Sequence, residues 1–140
     1  MSFHEKSAWV MLIALSITTA LYISSLLGLS SVAGHLIEPS LPMLIAYTIV
    51  LVVISVVGQI VIAILAPKDA NSALDERDQG ILVKASHWSS FILGFGVVSG
   101  LIHYLVLADG GLLFYIVFGS LVFSQITEYI AQIVLYRRGF

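Results

Sequence analysis

The chain has 140 residues, of which 59% are hydrophobic and only 10% are charged, and its mean hydropathy is +1.06. A soluble domain of this size has too little interior to hide so much apolar surface, so we place the chain in a lipid bilayer. The formal net charge of −2 gives no basis for nucleic-acid binding, and the lack of cysteine excludes disulfides, thiolate metal sites and cysteine nucleophiles.

Four predominantly apolar segments are long enough to cross a membrane, which takes about 20 residues. Backbone polar groups in hydrocarbon must be paired within the segment, so each segment is predicted to be a helix. We therefore predict an all-α polytopic membrane protein that forms a single domain over residues 1–140. The four transmembrane helices are predicted at residues 8–29, 41–66, 86–108 and 112–136, as two antiparallel hairpins joined by a loop at 67–85.

The boundaries of these segments carry recognisable signals. The apolar run of residues 8–29 exceeds the roughly 7–15 residues of a signal-peptide core, so we interpret it as a span rather than a cleaved leader. Pro42 suits the first turn of the second helix, and Pro67 with Asp69 is predicted to end that helix. The sequence 109–111, Asp-Gly-Gly, predicts a tight turn between the third and fourth spans.

The middle loop is predicted to be partly helical. Residues 75–84 are expected to run into the third span as one helix or to lie in the membrane interface. Ser72 and Asp75 have the spacing of a capping box, and acidic residues near a helix start complement its dipole. We expect this segment to be a docking surface for a cytoplasmic partner, the alternative being a solvated helix start. The residues concerned are Asp75, Glu76, Arg77 and Asp78.

All lysine and arginine residues fall in the N-terminal segment, the middle loop or the C-terminal segment. Basic residues stay on the cytoplasmic side during insertion. Four crossings put those three segments on one side, so the N and C termini and the loop are predicted to be cytoplasmic. We expect a multi-pass protein of the cytoplasmic (inner) membrane. The basic residues are Lys6, Lys68, Arg77, Lys84, Arg137 and Arg138.

Residues 75–85 fit the pattern D-E-R-x-x-x-I-x-x-K-A, which begins at Asp75 and ends at Ala85. In this block, and in length and number of spans, the chain resembles small prokaryotic four-span membrane proteins of unknown function that carry the block between spans two and three. The resemblance implies the four-span topology and the position of the loop, and it carries no activity over to this chain.

Glu128 is the strongest candidate for a functional group inside the membrane. It lies about two and a half turns before Arg137, or about 13 Å along a helix axis. The helical spacing of Ser124, Gln125, Glu128 and Gln132 makes one face of the fourth helix polar, and lipid would reject that face. The carboxyl is therefore either a functional ionisable group or a neutral hydrogen-bonded link between helices.

Gln59 and His87 complete the predicted intramembrane polar site, which comprises Glu128, Gln125, Gln132, Gln59 and His87. Gln59, with Ser55 one turn earlier, is expected to link two helices. His87 is expected either to relay protons with a carboxylate or to lie in the interface beside Trp88. Ser55 and Gln59 match Ser124 and Glu128 at a constant offset, which fits either an internal duplication or two hairpins under the same membrane constraints.

Gly96 and Gly100 form a GxxxG motif in the third span. Small residues at this spacing let helices approach closely, either within the hairpin or between two copies of the chain. Together with the polar faces of the second and fourth helices, the motif leads us to expect a homo-oligomer, with a dimer as the leading form.

These features favour a small non-enzymatic accessory or regulatory subunit that works through helix packing and its cytoplasmic loop. The alternative is a small oligomeric proton- or cation-coupled transporter or channel that uses Glu128, and an intramembrane enzyme or cofactor carrier ranks third. We expect no catalytic residue, metal ligand set or cofactor, because the sequence has no phosphate loop, nucleophile elbow or HExxH motif. The expected partners are the lipid bilayer, a second copy, and a cytoplasmic or membrane protein.

Overall fold

The computed structural model describes residues 2–70 and 73–139, except the side chains of Asp69 and Ala70. Over that part all regular secondary structure is α-helical. Each of the four long helices has the length and apolar composition needed to cross a membrane, which confirms the predicted all-α, multi-pass class. The helices are α1 (Phe3–Ala33), α2 (Leu41–Leu65), a short α3 (Pro67–Ala70), α4 (Glu76–Leu107) and α5 (Gly110–Arg138).

Specific caps set the ends of α1 and α2. The Ser2 hydroxyl accepts a hydrogen bond from the Glu5 N–H at 3.1 Å, so α1 begins several residues before the predicted span. Gly34 ends α1 in the left-handed conformation, at φ 76°. Pro42 lies in the first turn of α2, as predicted. The helix ends at Leu65, and its C-cap Ala66 directly precedes Pro67.

The charged segment after α3 is part of a long helix. α4 is continuous from Glu76 to Leu107, which confirms that the segment predicted at 75–84 runs into the third span. Asp75 is the N-cap, and its Oδ1 accepts a hydrogen bond from the Asp78 N–H at 2.7 Å. Ser72, the other member of the predicted capping box, lies outside the described residues.

The prediction of a tight turn at 109–111 is wrong in position. The break between α4 and α5 consists of Ala108 and Asp109, and Gly110 already belongs to α5. The Asp109 side chain accepts a hydrogen bond from the Leu112 N–H at 3.0 Å, so the helix starts at once and takes up both glycines. Ala108 makes the reversal at φ 52°, a left-handed conformation that costs a non-glycine residue about 1–2 kcal/mol.

The long helices pack as a curved row in the order α2, α1, α5, α4. Each hairpin packs on itself, and the contact between α1 and α5 joins the two hairpins. An aromatic cluster of Tyr22 in α1, Tyr47 in α2 and Phe118 in α5 lies at this junction, with ring centroids 5.1–5.6 Å apart. Consequently α2 and α4 form the outer members of the row, and a groove over α5 separates them.

The starts of α1 and α4 meet the end of α5 at one end of the bundle, which we call the terminal end. Side chains of residues 4, 5, 78, 136 and 137 contact one another there. At the opposite end, the Tyr115 hydroxyl donates a hydrogen bond of 2.7 Å to the Ile37 carbonyl, so the connection between α1 and α2 packs on α5.

Candidate functional site

A polar column runs along one side of α5 and consists of Ser124, Glu128, Gln132 and Tyr136. These residues are spaced four apart, so their side chains follow one another on one side of the helix. Ser124 is 1% exposed, Gln132 7% and Tyr136 9%, while Glu128 is half-buried. The polar face predicted for the fourth helix is therefore turned toward the bundle. Gln125, also predicted for this face, is half-buried.

Glu128 is held by α4. The Ser89 hydroxyl, which is buried, lies 3.0 Å from Glu128 Oε2 and 3.1 Å from the Ser86 carbonyl of its own helix. A hydroxyl has one hydrogen to donate, so Ser89 can satisfy only one of these two acceptors at a time. The same hydroxyl can accept a hydrogen bond as well. Ser89 is thus able to donate to an ionised Glu128 or to accept from a protonated one.

The predicted partner His87 lies elsewhere. Ser89 and His87 are two residues apart on α4, which places them about 200° apart around the helix axis. Because Ser89 faces Glu128, His87 faces away from it. The His87 ring is exposed and makes an edge contact with Phe91 at 5.2 Å between centroids. The structure therefore does not bring His87 and Glu128 together.

Gln59 belongs to a separate polar pair in the first hairpin. Ser7 Oγ in α1 lies 3.1 Å from Gln59 Oε1 and 2.8 Å from Gln59 Nε2 in α2. The amide is half-buried and links the two helices, the role expected for it from the sequence. Gln59 and Glu128 are consequently held in different hairpins by different serines.

Asp78 lies where the polar column reaches the terminal end. Its Oδ1 accepts a hydrogen bond of 2.9 Å from the Tyr136 hydroxyl, and its Oδ2 lies 3.8 Å from His4 Nε2. The Arg77 guanidinium donates a hydrogen bond of 3.4 Å to the Tyr136 carbonyl. His4 Nε2 is buried and makes no hydrogen bond with the described residues. Asp78 therefore connects α4 with both α5 and α1.

A second charged pair joins α1 to α5 at the same end. Arg137 Nε donates a hydrogen bond of 3.4 Å to Glu5 Oε1, and the guanidinium lies 5.5 Å from the centre of the Trp9 ring. The Glu5 side chain is only 9% exposed, whereas Arg137 is 62% exposed. Sequence reasoning missed this pair, because Arg137 was considered only as a topology signal and Glu5 lies in an exposed-looking helix start.

The block predicted as a docking surface is largely used inside the protein. Asp75 caps α4, and Arg77 and Asp78 bind Tyr136 as described above. Glu76 is exposed in the first turn of α4 and takes no part in those contacts. A docking surface on this block would therefore centre on Glu76 rather than on all four charged residues.

Gly96 and Gly100 both face α5. A Cβ atom at Gly96 would overlap the Ser120 side chain, and one at Gly100 would come within 3.2–3.3 Å of three α5 side chains. Of the two uses predicted for the motif, packing within the hairpin is the one observed, so the glycines no longer support the expected homo-oligomer. In the first hairpin Gly58 plays a similar part, since a Cβ atom there would overlap the Val10 side chain.

The function of the chain has to be inferred from its own residues and contacts. The open groove, the polar column and the charged contacts of the terminal end are the features that bear on it. No family model, curated protein or solved structure matches the chain.

Proposed function

We propose that the protein is a non-enzymatic accessory or regulatory subunit that binds a transmembrane helix of another membrane protein. The observation that carries this proposal is the open row of helices. α2 and α4 stand apart, and between them the surface of α5 forms the floor of an apolar groove of about 720 Å³. Its walls include Leu44 and Leu51 of α2 and Leu101 of α4, and its floor includes Phe114, Val117 and Leu121 of α5.

The spacing of the floor residues suits a helical partner. Phe114, Val117 and Leu121 follow one another at three and four residues, the spacing at which a helix presents anchors to a second helix in a groove. Apolar surface alone does not drive association in lipid, so close packing along such a strip has to supply the affinity. Lipid chains fill the groove only until a better-fitting helix displaces them.

Adjacent positions on α2 test the proposal. Leu51 lines the groove, and Val52, the next residue, is 53% exposed and turned about 100° away. A photoreactive phenylalanine analogue at Leu51 should crosslink one defined membrane protein, and the same analogue at Val52 should not. Leu51→Trp should then abolish co-purification of that protein, whereas Val52→Trp should leave it intact.

Two outcomes would overturn this function. Crosslinks to lipid alone at both positions would leave the groove without a protein partner. A crosslink between two copies of the chain would assign the groove to self-association instead.

The proposal includes an orientation, with the terminal end in the cytoplasm and the protein in the cytoplasmic (inner) membrane. Its support is the placement of every Lys and Arg in segments that belong to this end. The chain has no cysteine, so single cysteines report cleanly. An impermeant maleimide should label Leu36→Cys in intact cells and Ala73→Cys only after permeabilisation; the reverse pattern would refute the orientation.

Proton- or cation-coupled transport is the second candidate function, and Glu128 is the observation that favours it. Ionisable groups within a span are costly and are commonly found on ion pathways. Glu128 also shares its face of α5 with the other side chains of the polar column. If transport is the activity, liposomes that contain the protein should dissipate an imposed ion gradient, and Glu128→Gln should abolish that flux.

A further inference from the structure

We infer that Glu128 is a reversible proton-binding site that exchanges protons with the terminal end along the polar column. This inference goes beyond the subunit role proposed above and does not depend on it. It rests on three observations: a hydroxyl that can serve both protonation states of Glu128, a row of buried polar side chains, and a titratable group at the open end of that row.

Ser89 is the first of these observations. When Glu128 is ionised, the Ser89 hydroxyl donates to it across the 3.0 Å contact. When Glu128 is protonated, its own O–H can donate to Ser89 Oγ, and the serine hydrogen can turn to the Ser86 carbonyl at 3.1 Å. The two states differ only by the proton on the carboxyl, and in both of them the Ser89 hydroxyl has an acceptor for its hydrogen. The site is therefore compatible with both states without moving a helix.

The column supplies the route. Tyr136 and Glu128 are separated by about 12 Å along α5, too far for a direct hydrogen bond, and Gln132 lies midway. Neighbours four residues apart are about 6 Å apart at their Cβ atoms, so the Gln132 amide can hydrogen-bond and orient a short chain of waters that carries the proton past it. Gln132 is 7% exposed, which places this amide inside the bundle and away from lipid.

The terminal end supplies the proton. Asp78 accepts from the Tyr136 hydroxyl at 2.9 Å and faces His4 Nε2 at 3.8 Å. His4 Nε2 is buried and makes no hydrogen bond with the described residues, and a small rotation of its ring would bring it from 3.8 Å to hydrogen-bond distance of Asp78. The titratable and charged groups at this end of the route are His4 of α1, Arg77 and Asp78 of α4 and Tyr136 of α5, with the Glu5–Arg137 pair beside them.

Infrared spectroscopy of the full chain in liposomes tests the inference directly. A protonated carboxyl has its own C=O band, and a pH titration should show a band that Glu128→Gln removes. Ser89→Ala should move that band to higher frequency, because the carboxyl loses a hydrogen bond. A purely structural, permanently neutral Glu128 would instead give a band that does not change with pH.

The route is tested by the rate of protonation after a light-triggered pH jump. Gln132→Leu should slow the rise of the Glu128 band by at least about tenfold, which corresponds to ~1.4 kcal/mol in the barrier. Thr127→Val is the matched control, since Thr127 precedes Glu128 but bonds the Phe123 carbonyl of its own helix at 2.9 Å. Its rate should equal that of the unmodified chain.

Equal rates in Gln132→Leu and Thr127→Val would overturn the route, and a band unaffected by Glu128→Gln would overturn the site. If Gln132→Leu does not fold, Tyr136→Phe decides in its place. That variant removes one hydroxyl and should slow protonation in the same way, whereas an unchanged rate in Tyr136→Phe would count against the column.

Discussion

Each hairpin is fastened by a serine bonded to a longer polar side chain, but only the pair in the second hairpin contains a group that can change its charge. In the first hairpin Ser7 of α1 bonds Gln59 of α2, and in the second Ser89 of α4 bonds Glu128 of α5. The pairs occupy corresponding places, a serine on the first helix and a longer polar group on the second. An amide has one charge state, whereas a carboxyl has two.

The hairpins also differ in how tightly they close. α4 and α5 are joined by only Ala108 and Asp109, and Gly96 brings their backbones together at Ser120. α1 and α2 are joined by the longer connection at 34–40, and α2 leaves most of its apolar side chains exposed. The comparison separates a rigid hairpin that holds an ionisable group from a looser one that offers surface to lipid or to a partner.

The largest expected effect on stability comes from adding one methyl group at Gly96, where α4 and α5 of the second hairpin approach most closely. Gly96→Ala should lower the free energy of unfolding by about 1–3 kcal/mol, because the new Cβ overlaps both side-chain atoms of Ser120 and α5 has to shift. Gly58→Ala in the first hairpin should cost less, since a rotation of the Val10 side chain relieves its overlap. Reversible unfolding in mixed detergent micelles measures both.

Gly94→Ala is the control for this pair, because nothing lies within 4 Å of a Cβ atom placed there. It should be neutral or slightly stabilising. Equal losses at Gly58 and Gly96 would show that the two hairpins close with similar tightness, contrary to the difference drawn here.

The next largest loss of stability is expected when the Glu5–Arg137 pair, which links the two hairpins, is broken. Arg137→Met leaves the buried Glu5 carboxyl without its cation and should lower the free energy of unfolding by about 1 kcal/mol, a value discounted because Arg137 is exposed. Arg138→Met, at the next and also exposed position, is the matched control and should change little. The same micelle unfolding assay compares the two variants, and equal stability would mean that the pair does not join the hairpins.

The first helix of each hairpin starts on a side-chain cap, and the caps allow a third comparison. Ser2→Ala and Asp75→Ala should each cost about 1 kcal/mol, because each removes the acceptor for an N–H three residues on. Glu76→Ala, beside Asp75 but exposed, should stay within about 0.5 kcal/mol. A large loss for Glu76→Ala would make that residue structural and unsuitable as a docking residue.

The smallest effect on stability is expected when Glu128 is replaced by glutamine, the residue type that Gln59 supplies in the first hairpin. Glu128→Gln keeps an acceptor for Ser89, so unfolding should change by less than about 0.6 kcal/mol, the average for such bonds in membranes. Glu128→Leu provides the contrast, since it loses the bond altogether and should be the less stable of the two.

The four helices and several of their ends followed from the sequence because they depend on local chemistry. Apolar length predicted the spans, and Pro42 and the charged residues 75–78 marked the starts of α2 and α4 correctly. The α4–α5 turn was misplaced because two glycines suggest a turn, whereas the Asp109 cap draws them into the helix. Whether the glycines join the helix depends on the rotamer of the Asp109 side chain, which the sequence does not reveal.

The partner of Glu128 could not be predicted for a different reason. His87 and Ser89 are both polar and lie at similar depth, and the choice between them depends on how α4 is rotated against α5. The close approach of Gly96 to Ser120 sets that rotation. The order of helices in the row was equally hidden, because α2 is apolar over most of its length, and its polar residues Ser55 and Gln59 do not reveal which helix they face.

The pairing of Glu5 with Arg137 has a consequence for the order of biosynthesis. α1 leaves the ribosome long before α5, so the Glu5 carboxyl has no guanidinium to meet while the first hairpin is inserted. Until α5 arrives, burying that carboxyl is unfavourable, and the start of α1 should remain in water. Docking of the first hairpin onto the second is therefore expected to be the last step of assembly, and a chain stalled before α5 should leave its N-terminal segment open to proteases.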